Sequence, residues 1–199
     1  MMLCVTGPMA AGKNVASAIL AERGFATIDA DVLVHDAIEN AKDQIVAEFG
    51  AIACERNLSI VRTDGTVDRR VLGQIVFGDS ALVHKQEAIV FPYVNRLFDL
   101  FVIKNSGKNI AINATVLYKV PIMQSMDSIL FVDAPWPMRY LRARKRDGLL
   151  PSQIFARFKS QANLFAKYKN TGADISRVWN IGTRACLEKK IDQFLSRHR

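Results

Sequence analysis

The sequence predicts a layered α/β fold, a parallel sheet flanked by helices. Three observations carry this. The chain opens on a short apolar run, Leu3–Thr6, followed by a loop with a glycine at each end and then lysine, Gly7-Pro8-Met9-Ala10-Ala11-Gly12-Lys13-Asn14. Short apolar runs then alternate with stretches of helical period, the pattern of parallel strands joined by helical crossovers. Residues 30–108, between the second and third apolar runs, read as mostly helical and are too long for one crossover. They predict a helical subdomain inserted into the sheet domain.

The elements follow in order. Leu3–Thr6 is the first strand, and Lys13–Arg23 the first helix, stopped at Gly24. Ala26–Asp29 is the second strand. Helices follow over Asp31–Asn40 and Lys42–Phe49. After the Asp64-Gly65 turn come helices over Asp68–Phe77 and Ser80–Lys104, then the Ser106-Gly107 turn. Asn109–Asn113 and Ser128–Asp133 are the third and fourth strands. Helices over Pro137–Asp147 and Pro151–Tyr168 are separated by Asp147-Gly148. After Gly172, the strand Ser176–Trp179 and the helix Thr183–Ser196 close the chain.

The 199 residues suit one domain, and the 50% hydrophobic content is enough for a core. No apolar run reaches membrane-spanning length, and the start reads as a strand rather than a signal peptide. No membrane partner is expected, and the cytoplasm is the expected compartment. Cys4, Cys54 and Cys186 are too scattered for a disulfide framework or a metal site, and His35, His84 and His198 have no metal-ligand spacing.

A net charge of +8 favours a polyanionic partner, either nucleic acid or a phosphorylated small molecule. The basic clusters are Arg139, Arg142, Arg144, Lys145 and Arg146, then Arg157, Lys159, Lys167 and Lys169. No aromatic stacking motif of the kind a single-strand reader needs is interleaved with them, so nucleic acid is not expected. Solvated arginines are common, but beside a phosphate loop the sharper reading is arginines that close over phosphates.

The loop carries the first chemistry. Glycines let backbone N–H groups curl around phosphate oxygens, Lys13 adds a charge, and the helix behind presents its positive dipole end. This grips a nucleoside triphosphate. The residue after the lysine is normally Ser or Thr, whose hydroxyl ligates Mg²⁺, but here it is Asn14. Ile28-Asp29-Ala30-Asp31 ends the second strand at the carboxyl edge, where open parallel sheets bind ligands. A carboxylate there can accept a proton from an attacking hydroxyl, hold Mg²⁺ through water, or cap the next helix. Spacing leaves these open. Asp68 fits a helix cap, with Arg69 and Arg70 facing either an anion or solvent.

In this order and spacing the chain resembles the dephospho-coenzyme A kinases. The resemblance rests on the phosphate loop, Ile28-Asp29-Ala30-Asp31, Phe49-Gly50, Asp64-Gly65-x-x-Asp68-Arg69 with Val76-Phe77, and Glu87-x-Ile89-x-x-Pro92. It continues through Arg146-Asp147, Arg157-x-x-x-Gln161, and Ala173-Asp174 leading to Asn180-x-Gly182. It covers nearly the whole chain. It implies a P-loop kinase fold with a helical coenzyme-binding region and a lid. The implied reaction is Mg²⁺-assisted transfer of the ATP γ-phosphoryl to the ribose 3′-hydroxyl of dephospho-coenzyme A.

The resemblance also assigns roles. Asp31 is the implied base, and Lys13, Arg142 and Arg146 stabilise the transferring phosphoryl group. Gly7, Pro8, Met9, Ala10, Ala11, Gly12, Lys13, Asn14 and Val15 hold the phosphates, and Asn180 and Gly182 lie on the adenine side. Asp31, Arg69 and Phe91 serve the acceptor, and Asn14 the metal. The expected layout is a core of residues 1–40, 108–136 and 172–199, a helical substrate region 41–107 and a lid 137–171.

The chain departs from the family pattern at the site. The usual loop is Gly-Gly-Ile-Gly-Ser-Gly-Lys-Ser; here Pro8 replaces the second glycine and Asn14 the serine. Phe91 stands where the family has histidine. The third-strand signature Asp-Val-Pro-Leu-Leu-Phe-Glu reads Asn113-Ala114-Thr115-Val116-Leu117-Tyr118-Lys119, so one acid has become an amide and another a cation. The expectation is an active, divergent kinase. The alternatives are a P-loop nucleoside or nucleotide kinase with another acceptor, and a catalytically weakened nucleotide-binding protein.

Overall fold

The computed structural model describes residues 1–198; the side chain of residue 147 is outside the description. The chain divides into two compact units, Met1–Ala30 with Asn105 onward, and Asp31–Lys104.

The first unit is built on five parallel strands: β1 (Met2–Thr6), β2 (Ala26–Asp29), β3 (Ile110–Asn113), β4 (Ser128–Asp133) and β5 (Asp174–Trp179), in the spatial order β2-β3-β1-β4-β5. All pairings are parallel. β1 is central because it is apolar on both faces. Leu3 and Val5 join a core with Ile19 and Leu20 of α1 (Lys13–Glu22), and with Leu187 and Ile191 of a helix near the chain's end. Cys4 faces the other layer and is fully buried; burial pushes its thiol up to about 12. It is a core side chain, not a nucleophile.

The second unit is helical. α2 (Ala30–Asn40) leads into it, followed by α3 (Lys42–Glu55), α4 (Arg69–Val76) and α5 (Ser80–Lys104). α3 runs past the expected stop at Phe49, through Gly50. Its buried stripe Ile45, Phe49, Ala53 continues at four-residue spacing, and packing overrides the helix cost of one glycine. Between α3 and α4 the Asp64-Gly65 turn closes a small antiparallel contact of Val61 with Val67. Asp68 caps α4, its Oδ1 accepting from Arg70 N at 2.9 Å and Val71 N at 3.3 Å. Arg62 beside Asp68 holds that carboxyl below the usual carboxylate range. Pro92 lies inside α5.

Back in the first unit, two 3₁₀ helices, Leu117–Lys119 and Pro121–Ser125, follow β3. Sequence reading missed both. α6 (Trp136–Asp147) follows β4. The single helix expected over residues 151–168 is two, α7 (Pro151–Ser160) and α8 (Leu164–Lys169). The break at residues 161–163 frees the Gln161 side chain for the phosphate loop and lets α8 drop Leu164 and Tyr168 into the core. β5 starts two residues earlier than expected, and α9 (Arg184–Arg197) ends the fold.

Three aromatic rings lie beside the basic cluster on α6 and α7. Trp136, Tyr140 and Phe155 stack at centroid separations of 5.7–5.8 Å. They turn their faces to one another and so join α6 to α7. Among the described residues no helix is long and apolar enough to cross a membrane, and no group of three or more His, Cys, Asp or Glu could hold a metal.

Candidate functional site: a phosphate loop under an arginine helix

β1 delivers its chain at the carboxyl edge of the sheet into the loop Gly7–Gly12, and α1 starts at Lys13. Two glycines are required there. Gly7 has φ +148° and Gly12 φ +107°, and a Cβ on either would overlap a neighbour: Val132 O for Gly7, Asn180 Nδ2 for Gly12. Gly12 is the N-cap of α1 and offers no side-chain cap, so the first-turn amides of the helix are available to an anion. Lys13 Nζ donates to Gly7 O at 2.9 Å, curling over the loop.

The loop is tied to its surroundings residue by residue. Met9 N donates to Gln161 Oε1 at 2.7 Å, and Met9 O accepts from Arg139 Nε at 3.1 Å. The Met9 side chain is buried with Ala143, Ile154 and Phe158 of α6 and α7. Ala11 O accepts from Asn180 Nδ2 at 2.8 Å. Arg142 reaches Ala11 O at 3.5 Å and Asn180 O at 3.2 Å. Arg139 stacks its guanidinium over Phe158 at 4.3 Å. Burial holds that guanidinium below the ordinary arginine value, against the opposing pull of the Asp133 charge.

Lys13, Asn14, Val15, Ala10 and Gly12 line a cleft of about 560 Å³ with Arg142, Lys145 and Arg146 of α6. Arg142 and Arg146 are four residues apart and share a helix face. A second cavity of about 580 Å³ lies around Met1, Arg23 and Asn109, at the amino ends of the strands, the wrong edge for a parallel-sheet ligand site.

The β2–β3–β1 register sets Asn113 beside Asp29 and Val5. Asn113 Nδ2 donates to Asn14 Oδ1 at 3.0 Å and to Asp29 Oδ2 at 2.9 Å. Its Oδ1 is buried without a hydrogen-bond partner. Three oxygen-bearing side chains therefore meet next to the loop's lysine.

Of the residues singled out in the sequence, the cleft brings together Ala10, Gly12, Lys13, Asn14, Val15, Arg142 and Arg146. Gly7, Pro8, Met9 and Ala11 form the buried back of the loop, and Asn180 braces it from the end of β5. Gly182, with φ +99°, is exposed before α9. The carboxylate pair does not share one extended strand: Asp29 ends β2, while Asp31 is exposed in the first turn of α2. Arg69 is exposed at the start of α4, and Phe91 is half-buried in α5. Sequence reasoning gave no role to Arg139 or Gln161. Gln161 was visible only as the end of Arg157-x-x-x-Gln161, and nothing distinguishes Arg139 from the arginines around it.

A family model described as dephospho-CoA kinase matches residues 1–176. The chain is 34% identical over 199 residues to a dephospho-CoA kinase of Treponema pallidum, covering 98% of this chain and 94% of that one. It superposes on a crystal structure of a Thermus thermophilus protein with a TM-score of 0.81 at 25% identity, covering 99% and 97% of the two chains. A dephospho-CoA kinase from Campylobacter jejuni, 20% identical with a TM-score of 0.64, shares the fold over 98% of this chain and 96% of its own.

Proposed function

The chain belongs to the dephospho-CoA kinase family, and from that premise we propose how its residues transfer the γ-phosphoryl of ATP to the ribose 3′-hydroxyl of dephospho-coenzyme A. The protein is an ATP-dependent kinase. The observation that carries the reading is the cleft that joins Lys13 and the first-turn amides of α1 to Arg142 and Arg146. The amides and Lys13 hold the β- and γ-phosphates. The two arginines spread the charge that builds on the γ-phosphoryl oxygens, and this stabilisation supplies most of the catalysis in phosphoryl transfer. Asp31 takes the proton of the 3′-hydroxyl as its oxygen bonds to the γ-phosphorus, the bond to the β–γ bridging oxygen breaks, and ADP leaves. Arg69 and Phe91 serve the acceptor, and Asn180 and Gly182 the adenine side.

The family implies magnesium, and the donors beside Lys13 fit it. Asn14 Oδ1 and Asp29 Oδ2 are hard oxygens brought within 3.0 and 2.9 Å of one amide nitrogen, and the orphaned Asn113 Oδ1 is an acceptor for a metal-bound water. Asn14 and Asp29 would hold the ion. Bound there, it would neutralise phosphate charge.

The test is turnover of ATP with dephospho-coenzyme A, with the product identified by mass. A gain of one phosphoryl group on the acceptor is expected. Asp31→Asn should cut turnover roughly 10²–10⁴-fold with ATP affinity near that of the unsubstituted protein. Phosphorylation of a different nucleotide acceptor in place of dephospho-coenzyme A would overturn the acceptor assignment. ATP binding with no turnover of any acceptor would overturn the kinase mechanism.

A further inference from the structure

Ala10 is the strained point of the phosphate loop. Its φ is +61°, a left-handed conformation that an L-residue other than glycine adopts only under strain. Such strain persists only where the neighbours over-determine the backbone. Here they do. Met9, just before, is held at its N–H by Gln161, at its carbonyl by Arg139, and at its side chain by the α6–α7 core. Ala11, just after, is held at its carbonyl by Asn180 and Arg142. Gln161 stands at the C-cap of α7, where the chain leaves helical geometry, and its side chain goes to the loop.

We propose that Gln161 is a positioning residue for ATP. Together with Arg139 it clamps Met9 and so keeps Ala10 in the strained turn that aims the loop amides at the phosphates. Gln161 does not touch the nucleotide in this arrangement and acts through the Met9 backbone. The inference rests on the kinase reading and deepens it: the α6–α7 pair supplies both the arginines that meet phosphate and the clamp that shapes its seat. Releasing the Met9 N–H lets the peptide relax toward an unstrained φ at Ala10, and ATP must then restore the turn as it binds.

The test uses Gln161→Met, which keeps side-chain length and volume but removes the acceptor. Binding of ATP should weaken about threefold to tenfold, the range expected for one lost hydrogen bond to a backbone amide. KM for dephospho-coenzyme A should not move. Adding Ala10→Gly to that variant should recover most of the loss, because glycine adopts positive φ without the Cβ penalty. A cap that merely holds α7 together would show no such rescue. ATP affinity of Gln161→Met equal to that of the unsubstituted protein, or a double variant as weak as the single one, overturns the proposal. Should Gln161→Met fail to fold, hydrogen exchange at the Met9 amide of the unsubstituted protein decides: strong protection supports the clamp, and exchange at the rate of an open amide overturns it. Failure of the unsubstituted protein to bind ATP would instead overturn the kinase reading on which the proposal stands.

Discussion

The two sides of the phosphate loop are built on opposite principles. From Met9 to Ala11 its anchoring groups are pinned by side chains from three elements, and Met9 and Ala11 are buried. At Lys13 and Asn14 the chain opens onto a cleft, and the nearby Asn113 keeps one buried oxygen with no hydrogen-bond partner. The first side fixes a backbone shape, and the second leaves chemistry for a ligand to complete. An unpaired buried acceptor costs about 1–3 kcal/mol, so a site that keeps one is set up to recover that cost when the missing partner arrives. A kinase loop needs rigid amides for geometry, and on the proposed mechanism the incomplete polar cluster is where an ion would complete the site.

The sharpest break in the comparison comes at Lys13. Lys13→Ala should abolish measurable phosphoryl transfer while the fold survives, because the loop's other phosphate-facing groups are neutral amides. Retained turnover with normal ATP affinity would take the loop out of the mechanism. A smaller contrast separates the two arginines that line the cleft. Arg142 is part of the pinned side, since it bonds two backbone carbonyls. Arg142→Ala should lower both turnover and stability, the latter by about 1–3 kcal/mol for the carbonyls left short of a donor. Arg146 is exposed, and exposed charges add little to stability. Arg146→Ala should cut turnover and leave the thermal midpoint nearly unchanged. Paired turnover and melting measurements check both, and a large melting loss at Arg146 without a rate loss would make it a structural ion-pair partner.

How legible the molecule was in its sequence follows the same division. The parallel sheet was readable because buried strands are short apolar runs and the loop glycines have a local steric cause. Ala26–Asp29 and Ser128–Asp133 match their expected limits. Asp68 was readable as a cap for the same local reason. The clamp was not readable. Gln161 and Met9 lie 152 residues apart, and their bond exists only once α7 ends and the chain turns. The same turn split a helix that periodicity had run through to Tyr168. On the open side, Asn14 and Asn113 were visible as departures from a family pattern. Their shared hydrogen bond was not, because it depends on the β2–β3–β1 register. The split of Asp29 and Asp31 into a strand end and a helix start was readable, because the apolar run stops at Asp29 and the helical pattern opens at Asp31.

The finest test concerns that asparagine pair. Asn113 Nδ2 donates to two oxygens, one of Asn14 and one of Asp29, so an amide is the side chain that satisfies both. Asp at position 113 would set a carboxylate oxygen against them, removing the donor and adding like charge. Asn113→Asp should therefore destabilise the protein by about 1–3 kcal/mol without magnesium and recover with it, because the ion neutralises the facing carboxylates. Asn14→Ser should have the smallest effect, a shift of the magnesium titration of ATP binding to somewhat lower concentration. A short hydroxyl meets octahedral demands with less crowding of the ion's waters than an amide does. The two changes should couple. With serine at 14 the hydroxyl can donate to the new carboxylate, so the double variant should lose less stability than Asn113→Asp alone and need less magnesium than either single change. Melting curves with and without magnesium, and magnesium titrations of ATP binding, read out all three proteins. Strict additivity would mean that Asn14 and Asn113 do not share an ion. A magnesium-independent loss in Asn113→Asp would mean that the open oxygen serves packing, and the contrast between the two sides of the loop would then hold for shape alone.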